Sequence, residues 1–345
     1  MNAPTREEFL KRRMAGIGGS DIAAILGLSP YKTGLQLWLE KTGRDTSEPD
    51  GDALERMHWG TVLEDVVARH YSEVRGVKIQ RINQQLVHPQ CAIALANIDR
   101  AVLEDGKRAR WDEAFGRVVG ARNVLEVKTA HALAQNGADW GEAGTDEVPQ
   151  HYWTQCQWYM GITGLPFADL AVLFGGQKFV IYTIPFERDL FDDMLAEADR
   201  WWKAHVVADL PPQATTEGDA RRMWKSHAAG REKIVDVTVA EAVETLRAVK
   251  AQARALEERE QAAKDVICAA FEDAEVITYM GRKLATWKQN KASQRTDWKA
   301  SADQIKGWMI ENEIEGGVDA VRDIINSNTI ETEGARVLRL ATIKE

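Results

Sequence analysis

The sequence predicts a mixed α/β domain followed by a mainly helical C-terminal module. Three features support this. Strand-like patterns fill Val77 to Val127 ("VKIQRINQQLVH", "IALANIDRAVLE", "RNVLEVKTA") and return in "ADLAVLFGG" and "KFVIYTIPF", the last alternating as a half-buried strand does. Helical patterns flank and separate these strands. Pro211-Pro212, followed by "QATTEGD", then marks a boundary, and from Val237 to Phe271 the chain is one long helical pattern. The expected division is a first domain over 1–210, a linker over 211–235 and a helical module over 236–345.

The elements follow in order. Residues 5–14 form a short basic helical pattern. "GIGGSD" is a glycine-rich turn feeding a helix, with Ser20 or Asp21 as its cap. A second helix is expected over Thr33 to Lys41, ended by Gly43, and residues 44–52 are a polar loop. A longer helix from Asp52 to Val74 carries Leu54, Met57, Val62, Val66 and Tyr71 on its apolar side, and Gly76 stops it. A charged excursion from Asp105 to Arg122 interrupts the strands. A helix around Tyr152 to Gly161 places Trp153, Trp158 and Met160 in the core. Residues 187–206 form a helix packing Phe191, Met194, Leu195, Trp201 and Trp202. In the long C-terminal helix Val239, Val243, Leu246, Val249 and Leu256 recur at three- and four-residue spacing, as in a bundle or coiled coil. Short strands and a helix are expected in the tail.

At 345 residues, 44% hydrophobic and 28% charged, the chain has the composition of a globular protein with one large core or two smaller ones. No apolar stretch is long enough for a membrane span, and no signal-peptide pattern opens the sequence, so a cytoplasmic protein is expected. Three widely spaced cysteines argue against a disulfide framework or a four-cysteine metal site. A net charge of −9 argues against non-specific coating of nucleic acid, but not against an enzyme that acts on it.

"LEVKT" is the candidate centre. In a strand Glu126 and Lys128 leave the same face, while Val127 points into the opposite layer. The two could simply be an ion pair. Asp99, in "ANIDRAV", is expected on a preceding strand, where its carboxylate can lie beside Glu126. Two carboxylates and a backbone carbonyl suit an oxygen-preferring divalent ion such as Mg²⁺. Such an ion polarises a phosphoryl oxygen and activates water, with Lys128 orienting that water. Glu64, in "WGTVLEDVV", falls on a helix and could be a solvated charge. Gln155 and Tyr159 lie one helical turn apart on one face.

In this order, "GIGGSD", "WGxxLE", the Asp…Glu-Val-Lys set and "Tyr-x-x-Gln-x-Gln-x-x-Met" resemble the YqaJ family of phage recombination nucleases, relatives of lambda exonuclease in the PD-(D/E)XK superfamily. The resemblance covers roughly residues 8–206. It implies a central mixed sheet flanked by helices and a Mg²⁺- or Mn²⁺-dependent exonuclease, with two ions, digesting linear duplex DNA from 5′ ends to leave 3′ single strands. By the same resemblance Asp99, Glu126 and the Val127 carbonyl hold metal, Glu64 supports it, Lys128 serves the water and Gln155 lies close by. Arg13 and Ser20, seven residues apart as in lambda exonuclease, form a 5′-phosphate pocket, with Gly19, Gln155 and Tyr159 at its wall. A single-strand annealing protein as partner and a homotrimer are implied as well. The chain departs from that pattern in "KTAHALAQ", where a second phosphate-binding arginine is replaced by nothing closer than His131, and at Asn97. Two readings stay open beside it: a different nuclease of the superfamily, an endonuclease or a CRISPR-associated exonuclease, and a non-catalytic protein that binds DNA ends or serves as a scaffold.

The tail has one distinct segment. "GRKLATWKQNKASQRTDWKA" holds six basic residues against Asp297, a net +5, with Trp287 and Trp298 interleaved. Arg282, Lys283, Trp287, Lys288, Lys291 and Arg295 are candidate DNA contacts. A solvated hairpin with inward tryptophans is the alternative.

Overall fold

The protein is described by a computed structural model over residues 13–45, 51–137, 139–287, 298–314 and 317–327. The basic helical pattern over 5–14 falls almost wholly outside these residues. Two compact units divide the chain between Trp224 and Lys225.

The first unit opens with α1 (Gly19–Ile25), α2 (Gly34–Lys41) and the long α3 (Gly51–Arg75). Short strands follow: β1 (Ile79–Gln80), β2 (Leu86–His88), β3 (Cys91–Ala96), β4 (Arg100–Leu103), β5 (Arg110–Asp112) and β6 (Arg117–Val119). After them come β7 (Ala121–Ala130), α4 (Gln150–Thr163), β8 (Phe167–Phe174), β9 (Lys178–Pro185), α5 (Arg188–Trp201) and α6 (Glu217–Met223).

The central sheet has five strands in the order β1-β4-β7-β8-β9. β7 and β8 run parallel and the other neighbours antiparallel. A parallel pair needs a crossover, and α4 supplies it. Both faces of β7 are covered, so its residues are apolar on both sides except where chemistry intrudes. Val102, Leu125, Val127 and Ala171 pack on Val67, Ala68 and Tyr71 of α3. The opposite face, through Val124, Leu170, Val172 and Tyr182, joins the larger core with Ile22, Trp158, Met160 and Phe191. The expected mixed sheet flanked by helices is what the chain forms.

Several local expectations are corrected. The two long strand patterns each divide. β1 and β4 join the central sheet, whereas β2 and β3 pair as a separate ribbon. The chain passes from the β2–β3 ribbon to the central sheet at Asn97–Asp99, so Asp99 precedes β4 rather than lying within a strand. The charged excursion contains the β5–β6 hairpin. On α3 the apolar side is displaced: Leu54, Met57, Val62 and Val66 are exposed, and burial falls on Val67, Ala68 and Tyr71. The reason is a buried polar anchor. Asp169 of β8 accepts hydrogen bonds from the Tyr71 hydroxyl (2.5 Å), Asn123 Nδ2 (3.2 Å) and the Thr183 hydroxyl (2.6 Å), which fixes the rotation of α3 on the sheet. Trp153, Leu195 and Trp202 are only partly buried against the core, and past Trp201 the helix continues as a π-turn.

The first unit also runs beyond Pro211-Pro212, where the linker was expected to begin. Asp219 of α6 is buried and accepts from the Thr33 hydroxyl (2.7 Å) at the cap of α2, and Ala214 and Met223 pack on the core. The second unit holds α7 (Val237–Ala269), the hairpin β10 (Val276–Tyr279) and β11 (Arg282–Thr286), α8 (Trp298–Glu311) and α9 (Gly317–Ser327). Val239, Val249 and Leu256 of α7 are exposed, so the expected bundle stripe is not buried among the described residues. No described helix is long and apolar enough to cross a membrane.

Packing of α4 against α5 depends on Gly161. A Cβ there would sit 2.1 Å from the ring of the fully buried Phe191. Gly161→Ala should therefore destabilise the first unit by about 1–3 kcal/mol through overpacking. Thermal unfolding should register a drop of a few degrees, about 2–4 °C per kcal/mol for a unit of this size. An unchanged midpoint would show that the helices part without cost.

Candidate active site

The turn into β4, strand β7 and helix α4 converge on one end of the sheet. Asp99, at the turn into β4, accepts a hydrogen bond from the Val127 N–H through Oδ2 at 2.9 Å. β4 pairs with β7 only as far as Leu125, so Asp99 takes over where the ladder ends. N–H and C=O of one strand residue leave on the same side, which turns the Val127 carbonyl toward Asp99 as well. On the face opposite Val127, Glu126 and Lys128 lie side by side, with Lys128 Nζ 2.6 Å from Glu126 Oε1. Gln155 of α4 donates Nε2 to the same Oε1 at 2.6 Å and lies 3.1 Å from the Tyr159 hydroxyl. The other carboxylate oxygen, Glu126 Oε2, is enclosed and has no hydrogen-bond partner among the described residues.

The electrostatics follow from burial. Burial and the neighbouring Asp99 carboxylate push the Glu126 pKa up to about 8. Burial likewise raises Asp99, with Glu64 adding to it and Lys128 opposing. Burial alone would lower Lys128, but the Glu126 and Asp99 carboxylates outweigh it and hold the ammonium above its usual range. Such a site favours a further positive charge. The enclosed Glu126 Oε2, the Asp99 carboxylate and the Val127 carbonyl are an all-oxygen donor set, which fits a hard divalent cation.

Glu64 is engaged elsewhere. Its Oε1 takes Arg100 Nη1 at 2.6 Å and Arg81 Nη2 at 2.8 Å. Arg100 also bonds the Asp99 carbonyl (2.5 Å) and pairs with Asp65. The guanidinium groups are the reason Glu64 does not close up with the other carboxylates, and no cluster of three metal-ligating His, Cys, Asp or Glu side chains occurs among the described residues. Glu64 still borders the same cavity, of about 440 Å³, that Arg13, Ser20, Asn97, Asp99 and Tyr159 line.

The glycine-rich opening has two jobs. Gly19 lets α1 approach α4, because a Cβ there would lie 2.5 Å from the Tyr159 ring. Gly18, rather than Ser20 or Asp21, caps α1, and its N–H is taken by Asp21 Oδ2 at 3.0 Å. Asp21 is the buried hub behind the pocket. Burial works against its charge, yet Lys41 (2.7 Å), Lys32 and Arg13 (both 3.6 Å) together hold its pKa below the usual carboxylate range. Arg13 Nη2 is 3.5 Å from Ser20 Oγ, so both side chains face the cavity from one side.

Other expected residues lie apart. The His131 ring accepts from the Leu133 N–H and caps a short 3₁₀ turn. Arg282 and Lys283 are exposed on β11, and Trp287 stands 5.8 Å from Phe271. Lys288, Lys291 and Arg295 fall outside the described residues. Sequence reasoning passed over Arg81, Arg100 and Lys41, and saw Asp21 only as a helix cap rather than as the buried partner of Lys41, Lys32 and Arg13. Of these, only Arg100, directly after Asp99, carried a local signal.

Proton competition gives a test. Below about pH 8 the free Glu126 holds a proton that a bound cation must expel. Mg²⁺ or Mn²⁺ affinity, read by titration of the metal-free protein, should rise about tenfold per pH unit up to about 8 and level off above it. The metal-free fold itself loses stability from the unfolded carboxyl pKa, about 4.3, up to about 8. Glu126→Gln should remove both effects; a pH-independent affinity in the unaltered protein would contradict this account.

Residues 8–166 match the family described as the YqaJ-like viral recombinase domain. The uncharacterised protein YqaJ of Bacillus subtilis is 33% identical over 308 residues, 87% of this chain and 88% of the relative. The alkaline exonuclease LHK-Exo of Laribacter hongkongensis is similar with a TM-score of 0.43 at 16% identity, over 59% of this chain and 94% of that one. A phage-related exonuclease of Haemophilus somnus is similar with a TM-score of 0.37 at 11% identity, over 56% and 96%. With a relative this similar over nearly its whole length, the chain belongs to the YqaJ-like viral recombinase family.

Proposed function

We propose that this protein is a divalent-metal-dependent DNA exonuclease that digests linear duplex from phosphorylated 5′ ends and leaves 3′ single strands for recombination. The observation that carries the reading is Glu126: a buried carboxylate with one oxygen fixed by Lys128 and Gln155, and the other enclosed without a partner beside Asp99. Family membership supports a role in phage-type recombination; an annealing protein as partner and a homotrimer belong to the same proposal.

Asp99, Glu126 and the Val127 carbonyl would hold the cation. When bound, it would polarise a phosphoryl oxygen and acidify a water. Lys128, kept protonated by Glu126 and Asp99, orients the attacking water and offsets charge gathering on the phosphate. Gln155 keeps the Glu126 carboxylate in one rotamer, and Tyr159 walls the cavity. Arg13 and Ser20 offer a guanidinium and a hydroxyl to the terminal phosphate, and Asp21 anchors that arginine from behind.

Lys128→Ala should lower cleavage of end-labelled duplex by about a hundred- to a thousandfold, with DNA affinity retained. Near-normal digestion by this variant would exclude the site.

Arg13→Ala separates end recognition from general binding. Charge-assisted hydrogen bonds are worth about 1.5–3 kcal/mol, so digestion of 5′-phosphorylated ends should slow about ten- to a hundredfold. Digestion of 5′-hydroxyl ends should change little. Equal slowing on both substrates would make Arg13 a general DNA contact or a folding residue, and no slowing on either would leave the pocket without a phosphate role.

A further inference from the structure

Along α4 one face presents Tyr159, then Gln155 a turn earlier, then His151 and Tyr152 a turn earlier again. Tyr159 borders the cavity shared with Arg13 and Ser20, and Gln155 holds Glu126. The last turn meets a group of rings that the site described so far does not use. His151 and Tyr152 have centroids 4.0 Å apart, and Tyr31 stands edge-on to His151 at 5.4 Å and 84°. Lys128 Nζ lies 5.5 Å from the Tyr152 centroid, so the group adjoins the site.

Two features of this group have no internal explanation. Tyr31 is 74% exposed, although its loop is pinned by Ser29 Oγ, which accepts from the N–H groups of Tyr31 and Lys32 at 3.2 Å each. His151 Nε2 is enclosed and has no hydrogen-bond partner among the described residues. An exposed ring on a pinned loop, braced by His151, suits a flat ligand that can stack on it. A nucleobase is such a ligand.

We propose that Tyr31 and His151 form a stacking site for the base of the nucleotide directly 3′ of the scissile phosphate, the one that becomes the new 5′ end after each cut. The order of groups along α4 carries the assignment. The terminal phosphate belongs to the Tyr159 turn and the scissile phosphate to the Gln155–Glu126–Lys128 turn. The next nucleotide then falls to His151 and Tyr152, successive turns being about 5.4 Å apart. The base lies on the exposed ring of Tyr31, which His151 braces. Every base has a π-face, so the site tolerates any sequence and holds the strand in place between cuts. This inference rests on the nuclease reading.

The test uses 5′-phosphorylated duplexes carrying one abasic site in the cut strand, moved through the first four nucleotides. Single-turnover release of the first nucleotide is followed with divalent cation present, for the unaltered protein, Tyr31→Ala and Tyr31→Phe. The unaltered protein should slow about tenfold when the abasic site is at the second nucleotide, and less at the others. Tyr31→Ala should be about tenfold slow on intact duplex and suffer little further loss from that abasic site. Tyr31→Phe, which keeps the ring and loses only the hydroxyl, should match the unaltered protein. The inference is overturned if the unaltered protein is indifferent to the second base, if Tyr31→Ala keeps the full abasic penalty, or if Tyr31→Phe is as slow as Tyr31→Ala. Failure of the unaltered protein to cleave intact duplex would sink the nuclease reading itself, and is visible before any variant is made.

Discussion

Two carboxylates and one ammonium share a largely buried space where water screens them poorly, and much of the first unit is arranged around that fact. Glu126 is almost fully enclosed, Asp99 stands beside it, and Lys128 reaches only one of the Glu126 oxygens. Charges buried in this way are costly unless each is paired and hydrogen-bonded. Here the pairing is left incomplete: the enclosed Glu126 Oε2 has no donor among the described residues, and the carboxyl titrates far above its usual range. Perturbed pKa values of this kind gather at functional sites. Incomplete pairing is what makes the site receptive to a cation.

The fold keeps that arrangement in place with a few directed contacts. The Asp99–Val127 hydrogen bond continues the β4–β7 ladder by a side chain where the backbone pairing stops. α4, required by the parallel β7–β8 pair, brings Gln155 over Glu126 and Tyr159 against the glycine turn. On the other face Asp169 ties α3 to the sheet. α3 in turn places Glu64 next to Arg100, the residue that follows Asp99. Buried Asp21 gathers Lys41, Lys32 and Arg13 at the cavity edge, so the pocket is a charge network in its own right.

The central sheet, the shared face of Glu126 and Lys128, and the pairing of Gln155 with Tyr159 on one helix face were legible in the sequence because they depend on local periodicity. Two-residue spacing in a strand and four-residue spacing in a helix set which side chains share a face. The approach of Asp99 and Gln155 to the Glu126 site, through contacts 28 and 29 positions apart, was suggested by the family resemblance. What could not be read depends on contacts distant in sequence. The division of "IALANIDRAVLE" between two sheets is invisible in its apolar pattern, since both halves remain strands. The rotation of α3 follows from Tyr71 meeting Asp169, 98 positions away. Glu64 was legible as a site neighbour, but its capture by Arg81 and Arg100 was not, because arginines carry no periodic signal. Gly19 illustrates a residue type identified for one reason and used for another: the close approach of Tyr159 demands it, whatever the pocket binds.

The central claim is that Asp99 and Glu126 form one cation site, with Lys128 at its edge. Anomalous scattering from crystals grown with Mn²⁺ tests it directly. The account predicts a peak at metal–oxygen distance, about 2.1 Å, from the Asp99 carboxylate, Glu126 Oε2 and the Val127 carbonyl. A saturated crystal with no peak between those two carboxylates, or with Mn²⁺ bound only elsewhere, would contradict it.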